Sequence, residues 1–175
     1  MPLHFEIQST FKMKKQTTII KRWIIFFMIM LFLSGLTAMP VESELLFISR
    51  LIPWDTVVSD WVTKVYFGVS HVNSEYPFIG YGYDWLAFAH FVLAILFIGP
   101  LRDPVRNKWI IEFGMIACLL IIPFALIAGH FRGIPFWWRL IDCSFGVIGL
   151  IPLGICLTKI IQLEKLAKQE IQYEN

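Results

Sequence analysis

Four long apolar stretches constrain this chain more than any other feature of its sequence. They cover about residues 23–39, 85–101, 109–129 and 140–158, each close to the roughly 20 apolar residues that a helix needs to cross a bilayer core. Backbone polar groups in lipid need partners inside their own segment, and the stretches lack the alternation of a membrane barrel. The sequence therefore predicts an all-α fold, a four-transmembrane-helix bundle.

The composition supports that class and excludes others. Of 175 residues, 57% are hydrophobic and only 16% are charged, whereas a soluble domain carries about 25% charged residues. These values argue against a disordered chain, a nucleic-acid binder and an ordinary soluble enzyme. Cys118, Cys143 and Cys156 all lie in apolar stretches without CxxC spacing, so we expect neither a disulfide framework nor a zinc site. We expect no cofactor.

The basic residues are distributed unevenly and predict an orientation. Eleven of the Lys and Arg residues lie in residues 1–22, 102–108 and 159–175, against four elsewhere. By the positive-inside rule, both termini are cytoplasmic. Residues 1–22 are then a cytoplasmic tail and residues 23–175 a single membrane domain that ends in the cytoplasmic tail 159–175. We interpret the first span as an uncleaved anchor rather than a signal peptide.

Between the first two spans lies an acidic, aromatic-rich segment, residues 40–84, which this orientation places outside the cytoplasm. From Asp55, a plausible N-cap, the apolar residues follow helical spacing and predict an amphipathic helix that ends near Asn73. A shorter helix is predicted over Glu44–Ile52. The aromatic run 76–85 is interpreted as an interfacial segment with tight turns at its glycines.

Small residues and prolines mark the later spans. Gly146, Gly149 and Gly154 of the fourth span are expected to allow close helix packing. Pro123 and Pro152 interrupt the third and fourth spans and predict kinks.

Ionisable residues at the ends of the spans are the main functional lead, because a charge within a span is costly. An outer polar pocket is predicted from Asp84, His90, His130, Arg132, Arg139 and Asp142. Arg132 or Arg139 would bind an anionic or zwitterionic head group, with His90 as a titrating group. Alternatively, these residues are structural, with Arg139 paired to Asp142 and His90 bonded to a neighbouring helix. Glu112 stands alone at the inner end. We predict no catalytic residue and no metal site.

Three short motifs resemble the VanZ-like family of small bacterial membrane proteins. They are Leu33-Ser-Gly-Leu-Thr-Ala-Met-Pro40, the second-span pair Asp84 and His90-Phe91, and Arg139-x-x-Asp142-x-x-x-Gly146-x-x-Gly149. The Asp-to-His spacing is longer than the family's, and the third span lacks its Glu-x-x-Gln element. The resemblance implies an envelope-related role in the bacterial inner membrane, without a defined reaction.

Three functions remain open at this point. The chain is interpreted first as a non-enzymatic subunit or scaffold of an envelope-associated membrane complex. The alternative is an enzyme or binding protein that acts on a lipid or lipid-linked envelope molecule at the outer pocket. A weaker alternative is an oligomeric pore or transporter, since broken helices line transporter sites. The expected partners are membrane lipids, other membrane proteins or further copies of the chain, and no nucleic acid.

Overall fold

The computed structural model describes the backbone of residues 2–174 and the side chains of residue 8 and residues 10–169. Every regular element in that part of the chain is an α-helix, which confirms the all-α prediction. The helices are α1 (Pro2–Ala38), α2 (Val41–Leu51), α3 (Val57–Glu75), α4 (Pro77–Leu96), α5 (Ile98–Arg102), α6 (Lys108–Phe131) and α7 (Phe136–Glu174).

Four helical segments of the described chain are long and apolar enough to cross a membrane. They are Thr10–Ala38, Pro77–Arg102, Lys108–Phe131 and Phe136–Gln169. Each contains all or nearly all of one predicted stretch, so the prediction of four spans is confirmed by length and composition. In length and composition, the four segments are those of a helical, multi-pass membrane protein.

The chain divides into two compact units, which are described separately. The first unit comprises residues 1–28 and 96–175, and the second comprises residues 29–95. In the first unit, α6 and α7 form a hairpin whose connection turns at Gly133. This glycine has a φ of +67°, a left-handed conformation that side chains with a Cβ adopt rarely.

Glycines set the contact between α6 and α7. A methyl group at Gly146 would collide with the Cys118 carbonyl oxygen, and one at Gly149 would lie 2.7 Å from Cys118 Sγ. A methyl group at Gly154 would meet nothing within 4 Å. Two of the three predicted packing glycines therefore do bring the helices together, because a backbone approach this close leaves no room for a Cβ.

The middle of α1, over residues 20–27, completes the core of the first unit. Ile20 and Ile24 are fully buried, and Cys156 Sγ lies 3.7 Å from the Ile20 carbonyl oxygen. Phe27 packs against the buried Phe97 with ring centroids 4.8 Å apart. Buried aromatic pairs of this kind add about 0.5–1.5 kcal/mol beyond the area they bury.

In the second unit, the C-terminal part of α1 packs against α4. Phe32 and Phe91 have ring centroids 5.0 Å apart. At Gly35, an added methyl group would lie 2.7 Å from Phe91 Cε1 and 3.0 Å from the Ala87 carbonyl oxygen. The two helices are thus in near-backbone contact at this position.

Helices α2 and α3 form an antiparallel pair in the same unit. A capping box fixes the start of α3: the Ser59 amide donates to Thr56 Oγ1, and the Thr56 amide donates to Ser59 Oγ, both at 3.1 Å. Such a box satisfies two helix N–H groups that otherwise lack partners. Asn73, near the end of α3, donates from Nδ2 to Glu42 Oε2 of α2 at 2.8 Å.

Two details of the segment before the second span differ from the predictions. The N-cap of α3 is Thr56 rather than Asp55, because Asp55 has a φ of +64° and belongs to the preceding turn. The predicted turns over residues 76–85 are wrong, since α4 begins at Pro77 and runs through them. Proline suits the first helical position, where its missing N–H costs nothing, and the helix tolerates the two glycines that follow.

Candidate functional site

Four of the predicted pocket residues lie at the connected ends of α6 and α7. His130 and Arg132 are exposed, while Arg139 and Asp142 are half-buried on the first turns of α7. The structure places all four in the first unit. They are therefore near one another in the hairpin, but their side chains do not form one polar cluster.

Arg139 serves the packing of the hairpin. Its Nη1 donates to the Leu126 carbonyl oxygen of α6 at 3.1 Å, and its guanidinium lies 5.3 Å from the centre of the Phe136 ring. Its aliphatic stem occupies the space left by Gly129, where a methyl group would lie 2.7 Å from Arg139 Cγ. A cation near the last turn of α6 also interacts favourably with the helix dipole.

The described side chains of Arg139 and Asp142 do not form the ion pair that the alternative interpretation predicts. Among the described side chains, the ion pair of the structure joins Lys108 Nζ to Glu164 Oε1 at 3.3 Å. Lys108 and Glu164 belong to α6 and α7, so this pair holds the other end of the same two helices. Glu112, which the sequence placed alone at the inner end, is exposed on α6.

The other two predicted pocket residues lie on α4 in the second unit. His90 is half-buried, and its Nδ1 donates to the Leu86 carbonyl oxygen at 2.8 Å. The bond fixes the ring against its own helix rather than against a neighbouring one. Asp84 is exposed, six residues before His90, and it lines a groove that the sequence did not predict.

This groove, called here the acidic groove, is an open cleft of about 670 Å³ within the second unit. The residues after α1, the end of α3 and the first two turns of α4 form its walls. Its lining includes two carboxylates and three aromatic rings, and it contains no Lys, Arg or His. The polar and aromatic lining residues include Glu42, Asn73, Phe78, Tyr81, Tyr83 and Asp84.

An aromatic strip continues from the groove along α4. A shallow depression of about 250 Å³ is lined by Tyr81, Asp84, Trp85 and Phe88. Tyr81 and Trp85 meet edge to face with centroids 5.9 Å apart, as do Trp85 and Phe88 at 5.6 Å. Residues at this spacing share one helix face, so the acidic groove opens onto a continuous apolar strip.

Glu42 is held in its charged form. The Asn73 amide, and to a lesser degree the Ser70 hydroxyl, keep the pKa of the Glu42 carboxyl below its ordinary value of 4.5 by hydrogen bonding. Donors that bond a carboxylate favour the ionised state. The groove therefore presents a fixed negative charge at neutral pH.

Sequence reasoning found Asp84 but missed Glu42, Asn73 and the ring positions. The available signal was the helical spacing of Tyr81, Trp85 and Phe88, which the interpretation of residues 76–85 as turns concealed. Among the described residues, no group of three or more His, Cys, Asp or Glu side chains could hold a metal ion.

No protein-family model, curated protein or solved structure matches this chain.

Acidification is expected to loosen α2 from α3. A carboxyl whose pKa is lowered by folding stabilises the folded state above its unfolded pKa, and that stabilisation disappears as the pH falls through the folded pKa. For Glu42 the loss lies below pH 4.5. As the pH is lowered, the unfolding temperature in detergent should therefore fall more steeply for the wild type than for Glu42→Gln. Parallel profiles for the two proteins would contradict this.

Proposed function

We propose that this chain is an integral protein of the bacterial inner membrane and a non-enzymatic subunit or scaffold of an envelope-associated complex. Its four apolar helices support the membrane assignment. The excess of basic residues in residues 1–22, 102–108 and 159–175 favours cytoplasmic termini. The short motifs that resemble the VanZ-like family agree with an envelope role.

The observation that carries the scaffold function is an apolar tip on the α2–α3 pair. Phe47, Leu51, Trp54 and Val57 lie at or near the connection between the two helices and are between 63% and 86% exposed. They lie outside the four candidate spans. Large apolar side chains that remain exposed together outside a membrane segment mark an interaction surface.

A protein partner fits this apolar tip better than a lipid surface. Residues 40–84 carry six Asp and Glu residues against two Lys and Arg residues, whereas helices that bind anionic membranes are rich in Lys and Arg. At the hairpin of α6 and α7, the Arg139 side chain is engaged in packing. A partner with an apolar patch rimmed by basic residues complements the tip.

The test separates the tip from the predicted polar pocket. Native mass spectrometry of the protein, purified from its own membranes in mild detergent, should show a complex of defined stoichiometry. The double variant Leu51→Ser, Trp54→Ser should lose that complex, while the exposed control Glu75→Gln retains it. Neutralising His130 and Arg132 together, the two exposed residues of the predicted pocket on the hairpin, should also leave it intact. A complex that survives the first variant but not the last would overturn the proposal.

The second candidate function is the binding of a lipid or lipid-linked envelope molecule. The acidic groove favours it, because Asp84 belongs to both the predicted pocket and the observed groove. The remaining predicted pocket residues do not line this groove.

A further inference from the structure

The position of the acidic groove limits what could occupy it. Its walls include Met39 and Pro40, directly after the candidate span that ends at Ala38, and Pro77, the first residue of the next candidate span. A molecule in the groove would therefore lie where two apolar helices leave the membrane. Amphiphiles place their head groups at this level, and Tyr and Trp are enriched there.

The chemistry of the groove selects a cation. Glu42 and Asp84 provide two negative charges, and the rings of Phe78, Tyr81 and Tyr83 line the same cleft. The faces of aromatic rings attract ammonium groups. Together, carboxylates and rings form the type of site that recognises quaternary ammonium ligands.

The lack of a basic side chain excludes most zwitterionic head groups. A phosphate next to the ammonium would lie among carboxylates with no Lys, Arg or His of the groove to pair with it. Like charges brought together in this way oppose binding. The ligand's head group should therefore carry a net positive charge.

The aromatic strip accounts for the rest of the molecule. Trp85 and Phe88 continue from Tyr81 along α4, further into the candidate span Pro77–Arg102. Both rings are more than half exposed, so an alkyl chain could cover them. We propose that the acidic groove and the Tyr81–Trp85–Phe88 strip together bind a membrane lipid whose ammonium head group is net positively charged.

This lipid site is independent of the proposed scaffold function. The apolar tip lies at the α2–α3 connection, whereas the groove includes the opposite ends of these helices, Val41 and Asn73 among their residues. A failed test of the tip therefore leaves the groove proposal unaffected, and the reverse holds as well.

Two glycines on α4 provide a matched pair of variants. Gly80 lines the groove, and a methyl group there would lie 3.4 Å from Asn73 Oδ1. Gly82 does not line it, and a methyl group there would meet nothing within 4 Å. Replacing either glycine by leucine raises helix propensity to the same extent. Only Gly80→Leu should place a side chain in the ligand's space.

The binding experiment uses amphiphiles that share a sixteen-carbon chain and differ in charge. Native mass spectrometry in a nonionic detergent measures the bound fraction of hexadecyltrimethylammonium, hexadecylphosphocholine or hexadecyl sulfate. The wild type should bind the cation about tenfold more tightly than the other two. Gly80→Leu should lose about tenfold in cation affinity, and Gly82→Leu should bind as the wild type does. Asp84→Asn should weaken cation binding as well.

Three results would overturn the proposal. One is equal binding of the cation by Gly80→Leu and the wild type. The second is equal binding of the cationic and phosphocholine amphiphiles. The third concerns the source of the cation: chain-free tetramethylammonium that competes as well as the sixteen-carbon cation would show a site for small cations, not for a lipid.

Discussion

Gly146→Ala is expected to lower the free energy of unfolding by about 2 kcal/mol, because overpacking costs about 1–3 kcal/mol and alanine recovers about 1 kcal/mol or less of helix propensity. The clash is with the Cys118 carbonyl oxygen, and a helix backbone cannot turn aside as a side chain can. The overpacking cost should therefore lie near the upper end of its range, and the gain in helix propensity reduces the net loss to about 2 kcal/mol. Unfolding in mild detergent measures it.

Gly154→Ala is the control for this prediction. It lies on the same helix, and a methyl group there meets nothing within 4 Å, so stability should stay constant or rise. Equal losses for the two variants would show that the close approach of α6 and α7 does not determine the stability of the hairpin.

A compensating pair sharpens the prediction. At Gly149 the added methyl group would meet the Cys118 side chain, 2.7 Å from Sγ, rather than the backbone. Cys118→Ala removes that sulfur, so the double variant with Gly149→Ala should be more stable than Gly149→Ala alone. The same cysteine variant should not rescue Gly146→Ala. This difference distinguishes a side-chain clash from a backbone clash.

The second large effect is expected at Gly35, in the other unit. A methyl group there would press on the Phe91 ring and lie 3.0 Å from both the Ala87 carbonyl oxygen and His90 Cβ. Gly35→Ala should destabilise the contact between α1 and α4 by about 1–2 kcal/mol. Gly68→Ala, on α3 with nothing within 4 Å, should have no such effect. Hydrogen exchange of α4 amides should rise in the first variant and remain unchanged in the second.

The spans could be predicted from the sequence because hydrophobicity is a local property. Their ends could not, because helix formation continues beyond the apolar residues. Lys12, Lys14 and Lys15 precede the first predicted stretch and still lie in α1. Lysine is a good helix former, so a change in polarity does not stop a helix. The same reasoning applies to α7, which continues to Glu174.

The acidic groove could not be predicted, because contacts between distant residues form it. Glu42 and Asn73 are 31 residues apart in sequence, and their hydrogen bond depends on how α2 returns along α3. Charge counting identified the acidic character of residues 40–84 but gave no indication of which carboxylates share a cavity. Conversely, Arg139 has the charge expected of a ligand-binding residue. Its role in packing is evident only from its hydrogen bond to the Leu126 carbonyl oxygen.

The labelling rates of the three cysteines can report on local opening of the helix contacts. All are buried as free thiols, Cys118 against Gly149, Cys143 near the Ile122 carbonyl oxygen and Cys156 near that of Ile20. A thiol-alkylating reagent can reach each sulfur only when its helix contact opens. The labelling rates of Cys118 and Cys143 thus time the separation of α6 from α7, and that of Cys156 times the departure of α1. Comparing these labelling rates in the unmodified chain would therefore show which helix separates from the first unit first.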